Sequence, residues 1–243
     1  PGMRDRPDVL RIAIMNTKGG CGKTTLATNL ASYCAAQGCA TALFDYDRQA
    51  SSTRWLNIRH ESLPFIHGVA AFEPPKQGVT RAWQMALPAG TQYVIADTPA
   101  AYSTIDIEDR VAEADVILIP MLPSSIDIHC TADFIHDLLL IGKARAHNKR
   151  LGLIANRTRA HTRATDKLEC FLQDLDIPVI GRIRDTQHYV SAAEQGLGIH
   201  ELAERDARQN ADTWRELLAW LDSSQQPIQT IREELRNCSG TPA

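Results

Sequence analysis

Thr17-Lys18-Gly19-Gly20-Cys21-Gly22-Lys23-Thr24-Thr25 is the stretch on which the fold of this 243-residue chain turns. Gly22-Lys23-Thr24 matches the second half of a G-x-x-x-x-G-K-[ST] loop, in which backbone N–H groups cradle phosphates, the lysine reaches their oxygens and the hydroxyl ligates Mg²⁺. Thr17 stands where the first glycine of that pattern belongs, and Lys18 opens the loop with an additional cation. The flanks fit the mechanism. Val9 to Met15 is short, apolar and β-rich, as a buried parallel strand would be. From Lys23 to about Gln37, Leu26, Leu30 and Cys34 recur every four residues, and Gly38 stands where a C-terminal cap belongs, which predicts a helix. Strand, glycine turn and helix follow in the order that phosphate binding requires.

Further apolar strands are expected at 40–44, 93–96, 116–120, 151–154 and 178–180, separated by segments long enough for helices. That alternation predicts an α/β chain: a single-domain P-loop three-layer fold, with a mostly parallel twisted sheet and helices on both faces. The stretch between Ile58 and Gly90 is broken by Pro64, Pro74, Pro75 and Pro88 and reads as short helices and loops. Trp214, Leu217, Leu218 and Leu221 follow i, i+3, i+4, i+7 spacing, a helix with one apolar face turned to the core. Pro1-Gly2 ahead of Met3 has the form of a protease scar, so residues 1–8 are set aside as tag remnant and lead-in, 9–222 as the domain and 223–243 as a polar tail.

No apolar run reaches the roughly 18 residues that span a bilayer, and the N-terminus lacks a secretory pattern, so a cytoplasmic protein is expected. Cys21, Cys34, Cys39, Cys130, Cys170 and Cys238 form no C-x-x-C pair, which argues against a metal or iron–sulfur centre. A formal charge of −3 gives the chain as a whole no pull toward nucleic acid or membrane. Carboxylates for a metal and a hydrolytic water belong at the carboxyl ends of neighbouring strands. Asp45-Tyr46-Asp47 ends one strand and Asp97-Thr98-Pro99 ends another.

Lys18 to Thr25, Asp45-Tyr46-Asp47-Arg48-Gln49, Asp97-Thr98-Pro99 and Ala114 to Pro120 together resemble the ParA/MinD branch of deviant Walker ATPases, in order and spacing from about Leu10 to Leu202. Within it the chain looks most like the small ParA-type partition and positioning ATPases without an N-terminal helix-turn-helix domain. Pro120-Met121-Leu122-Pro123-Ser124-Ser125-Ile126-Asp127 is similar to the segment after the fourth motif of that group. The resemblance implies ATP and Mg²⁺ as cofactors. Lys23 and the backbone of Gly19, Gly20, Cys21, Gly22, Thr24 and Thr25 would hold phosphates, with Thr24, Asp45 and Asp97 around the Mg²⁺. Lys18 would be the signature lysine that reaches the phosphates of a partner subunit, Asp47 would orient the attacking water, and Asn156 would read adenine. It further implies an ATP-bound homodimer, sequence-independent DNA binding at the nucleoid, and a small ParB-type stimulating partner. A cation supplied in trans works as an arginine finger does, so catalysis would depend on assembly. Two residues depart from the family's pattern. Arg48 stands where the family usually carries proline, and Cys21 replaces a small residue.

Between Lys143 and Ala164 the chain carries Lys143, Arg145, Lys149, Arg150, Arg157, Arg159 and Arg163, with Arg182 and Arg184 beyond, which fits binding to DNA phosphates. Two other readings stay open: a MinD-like membrane switch, for which Ile228, Ile231 and Leu235 offer only a short stripe diluted by Glu233 and Glu234, and a non-hydrolysing ATP-binding scaffold. The resemblance leaves the cargo open.

Overall fold

Seven parallel strands lie in the order β3-β2-β4-β1-β5-β6-β7: β1 Leu10–Ile14, β2 Thr41–Asp45, β3 Ile66–Ala70, β4 Tyr93–Asp97, β5 Val116–Met121, β6 Arg150–Thr158 and β7 Val179–Arg184. They come from a computed structural model that describes residues 9–144, 146–158, 177–202 and 213–221. Parallel strands need helical crossovers, and these supply both outer layers. They are α1 Lys23–Ala36, α2 Ser51–Ile58, α3 Arg81–Gln84, α4 Thr104–Glu113 and α5 Ser125–Leu140, followed by helices at His188–Glu194 and 213–221. The three-layer α/β fold expected from the alternation is the one observed.

Each face of the sheet carries its own core. On one side Leu26, Leu30 and Cys34 of α1 join Ile12, Ile14, Leu43 and Ile95, together with Trp55 of α2 and Trp214, Leu217 and Leu221 of the last described helix. Those three residues of the 213–221 helix are all buried, so its apolar stripe is core, as the spacing predicts. On the other side Ile107 and Val111 of α4 and Phe134, Ile135 and Leu138 of α5 cover Ala13, Ile117 and Ile119. α1 is buried well beyond its period-four stripe, because Thr28, Asn29 and Ser32 are enclosed too. Asn29 explains this: its Oδ1 accepts Ile199 N–H at 2.7 Å, tying the segment after the His188–Glu194 helix across the helix.

The stretch between Ile58 and Gly90 departs from expectation. It contains the edge strand β3, paired with β2 from Thr41↔Ile66 to Asp45↔Ala70, and α3 is only four residues long. Gly68 in the middle of that strand masks its β character, and the Leu56 side chain packs over it. A Cβ there would stand 2.7 Å from Leu56 Cδ1, so α2 packs directly onto the strand backbone.

Candidate functional site

The sheet register assembles the site. Asp45 and Asp97 are register partners across β2 and β4, and Ile14, which leads into the glycine loop, is the partner of Asp97 on the other side. Neighbouring strands run about 4.8 Å apart, so both carboxylates and the loop meet at the carboxyl ends of three adjacent strands, where ligands of open α/β sheets bind. The residues expected to form a nucleotide site are brought together there.

The loop is shaped by its glycines. Gly20 and Gly22 have φ of 75° and 98°, a region that penalises any Cβ, and Gly22 caps α1. The amino end of α1 thus faces the crevice with its unpaired N–H groups and the positive end of its dipole. Lys23 is buried and folds back into the loop, its Nζ donating to Asn16 O at 2.9 Å and Lys18 O at 3.1 Å. Asn16 fastens the loop from below, donating to Pro120 O at 2.8 Å and Thr131 Oγ1 at 3.0 Å. Cys21 is buried, and burial pushes its thiol up. A raised pKa lowers the thiolate fraction, so Cys21 packs and does not act as an exposed redox thiol.

Two carboxylates close the crevice opposite the loop. Burial pushes Asp97 up to about 6, against the opposing hydrogen bonds of Ser52 and Thr24. Its Oδ2 takes the Ser52 hydroxyl, while Oδ1 is buried with no hydrogen-bond partner. Burial also raises Asp45, whose Oδ2 accepts Thr53 N–H at 2.8 Å and Thr53 Oγ1 at 2.9 Å. Oxygen-only donors, one of them orphaned, suit a hard divalent cation such as Mg²⁺. Asp47 is half-buried in the turn after β2, where its Oδ1 accepts Gln49 N–H at 2.9 Å. That turn closes through Ala50 N–H to Asp47 O at 2.8 Å, with Arg48 exposed, so it forms without the proline common in the family.

Asn156, expected to read adenine, is buried beneath the loop. Its Nδ2 donates to Cys21 O at 2.7 Å and its Oδ1 accepts Arg157 N–H at 2.9 Å, so here it props the loop. The basic stretch is divided by the fold. Lys143, Lys149 and Arg150 lie before or at the amino end of β6, and Arg157 lies at its carboxyl end, roughly 23 Å from Arg150 at 3.3 Å per residue. Lys149 Nζ donates to Ala112 O at 3.1 Å. Arg150 lies over the Trp220 ring at 4.0 Å and donates to Trp220 O at 2.9 Å, which ties it to the 213–221 helix. Arg182 and Arg184 are exposed on β7 in register with Ala155 and Thr158, so they stand beside Arg157 at the crevice end. Arg145, Arg159 and Arg163 lie outside the described residues.

Sequence reasoning missed Ser52 and Thr53, which engage the two carboxylates, and Asp127, whose Oδ1 lies 3.2 Å from Lys18 Nζ. Serine, threonine and a helical aspartate carry no motif of their own; Asp127 stands in the segment that follows the fourth motif.

The model of the CobQ/CobB/MinD/ParA nucleotide binding domain matches residues 12–199. The chain belongs to this family. Among its relatives, maintenance of carboxysome distribution protein A of Halothiobacillus neapolitanus is 28% identical over 214 residues, covering 85% of this chain and 94% of that protein. Apo McdA of Cyanothece superposes with a TM-score of 0.67 at 19% identity, over 86% of this chain and 99% of that one. An ATP complex of a Cyanothece McdA variant superposes with a TM-score of 0.64 at 20% identity, over 87% and 97%. Likeness at that identity bears on the fold, which agrees with the seven-stranded sheet. Among the described residues no helix is long and apolar enough to cross a membrane.

Proposed function

We propose that this chain is an ATP-dependent positioning ATPase that dimerises on ATP, binds DNA without sequence preference, and hydrolyses ATP when a small partner protein stimulates it. The observation that carries the reading is the pairing of a glycine-rich phosphate cradle with a second lysine, Lys18, at its mouth. A lone P-loop is served by Lys23. Lys18 is not needed to hold phosphate in a self-contained site, and its side chain is 36% exposed at the crevice end of the sheet. A second copy facing that end would receive a cation on its transferring phosphate, the arrangement that makes turnover depend on assembly.

In this reading Lys23, the Gly19–Thr25 backbone and the α1 dipole bind the phosphates. Thr24, Asp45 and Asp97 would hold Mg²⁺, which supplies charge neutralisation on the phosphate oxygens. Asp47 would turn from Gln49 N–H to orient the attacking water. Adenine recognition by Asn156 would require its amide to give up the Cys21 carbonyl. Arg157, Arg182 and Arg184 are the favoured DNA-binding residues, because the fold gathers them at the crevice end. Two copies would double that charge, so weak binding by one chain becomes useful in the pair. The likeness to carboxysome distribution proteins supports a cargo-positioning role; a nucleoid location and a small stimulating adaptor of the ParB kind complete the proposal.

Sizing the protein with and without ATP and Mg²⁺, alongside Lys18→Ala and Asp47→Ala, tests this. The wild type should double in mass with ATP. Lys18→Ala should bind nucleotide yet neither dimerise stably nor hydrolyse it, and Asp47→Ala should stay trapped as the ATP dimer. Wild-type turnover by Lys18→Ala would refute the shared site.

A further inference from the structure

Lys18, the charge this reading sends to a second copy, is already engaged within the single chain. Its Nζ lies 3.2 Å from Asp127 Oδ1, and the Asp127 side chain is only 11% exposed. Asp127 stands in the first turn of α5, where the N-cap Ser124 hydroxyl occupies Oδ2 and accepts Asp127 N–H at 3.2 Å. Oδ1 has no hydrogen-bond partner and faces the ammonium. One helical turn on, Thr131 accepts from Asn16, whose Oδ1 in turn accepts Lys18 N–H at 2.9 Å. α5 therefore grips the opening of the loop twice, through the Lys18 side chain and through the backbone that presents it.

We propose that Asp127 is a positioning residue that holds Lys18 in cis, so that assembling a two-chain site requires Lys18 to exchange this carboxylate for a phosphate on the partner. The inference rests on the dimer reading given above. An ammonium that leaves a mostly enclosed carboxylate loses charge complementarity, and only a more negative acceptor restores it. Nucleotide phosphates meet that condition, and an empty crevice does not. The latch therefore suppresses pairing of nucleotide-free chains and sets a threshold for pairing of loaded ones. Exchange at a partly exposed pair corresponds to roughly a 1.5- to fivefold change in an equilibrium constant for each of the two pairs in a dimer.

The test uses the full chain with Asp127→Asn, which keeps the shape and removes the charge, and Asp127→Ser as a second variant that keeps a residue suited to the start of a helix. Acylation of Lys18 by an N-hydroxysuccinimide ester, followed by mass spectrometry on the nucleotide-free protein, should run several-fold faster in both variants than in wild type. Equal rates would overturn the cis pair. With Mg²⁺ and a slowly hydrolysed ATP analogue, the protein concentration at half-dimerisation should fall two- to tenfold in Asp127→Asn. An unchanged or higher midpoint would overturn the latch. The gain should vanish in the double variant with Lys18→Ala; a gain that persists there would show that it does not act through Lys18, and would overturn the proposal too. If wild type never dimerises with nucleotide, the dimer reading and the latch's regulatory role fall together, while acylation still decides whether the pair exists.

Discussion

Asp97→Asn should stabilise the metal-free protein at neutral and alkaline pH while abolishing its response to Mg²⁺. Asp97 is 1% exposed, and burial pushes its pKa from 3.8 to about 6. The folded chain thus holds a proton on this group more tightly than the unfolded chain does, so stability falls as pH rises from about 4 to about 6, and the full cost is present above that window. At about 1.4 kcal/mol per unit, the shift makes ionised Asp97 a burden of about 3 kcal/mol at pH 8. Asparagine keeps the acceptor for Ser52 and discards the charge. With roughly 2–4 °C per kcal/mol for a chain of this size, melting at pH 8 in a chelator should rise by roughly 6–12 °C, and the gain should shrink to nothing near pH 4. Melting curves from pH 4 to 8, with and without Mg²⁺ and nucleotide, make the measurement. Wild type should gain stability from Mg²⁺ with nucleotide, whereas the variant should not. A variant less stable than wild type at pH 8, or a gain independent of pH, would refute the reasoning.

Gly22→Ala should lose nucleotide binding in a fluorescent-nucleotide titration and about 2 kcal/mol of stability, because φ is 98° and the new Cβ would stand 2.0 Å from Asn156 Nδ2. Arg59→Leu should cost about 3–5 kcal/mol in urea unfolding. It would strand Glu201, which Arg59 holds by two bonds of 2.6 and 2.7 Å with both side chains under a tenth exposed, and Glu201→Leu in the same chain should recover part of the loss. Arg182→Ala with Arg184→Ala should weaken DNA binding and flatten its log–log salt dependence by about 0.9 for each phosphate that is no longer neutralised. Arg150→Ala should instead lower the melting temperature and leave that slope alone.

What could be read from the sequence was whatever a local pattern encodes. The loop, α1 and the strand-end aspartates were legible because each is a short string whose residue types follow from backbone geometry or strand polarity. β3 was not, since Gly68 lowers the β signal for a reason that lies in α2, at Leu56. The basic stretch looked like one surface because adjacency in sequence suggests adjacency in space. A nine-residue extended strand defeats that inference by carrying Arg150 and Arg157 to opposite ends of the sheet. Asp127 and Ser52 were illegible as partners because pairing across 45 or more residues leaves no periodicity to find.

In the proposed function the two carboxylates would join nucleotide chemistry to the rest of the fold. In this structure Asp45 and Asp97 both hold the amino end of α2, through Thr53 and Ser52. A cation held by the free Asp97 Oδ1 and by Asp45 would pull on carboxylates that also carry the start of that helix, and could re-aim it. The far end of α2 cannot follow freely. Trp55 Nε1 donates to Leu197 O at 3.2 Å, and Arg59 is fixed to Glu201 and to Gly196 O at 3.1 Å. A Cβ on Gly196 would collide with the Arg59 backbone at 2.7 Å, which shows how tightly that end is seated. Any such adjustment would fall between Tyr46 and Ala50, where Ala50 already sits at φ 53° and the half-buried Asp47 is held within the turn. Proline at position 48 would fix one torsion of that segment; arginine leaves it free. The departure from the family pattern thus falls on the few residues that must move if Asp47 is to swing toward a water, and it favours that movement.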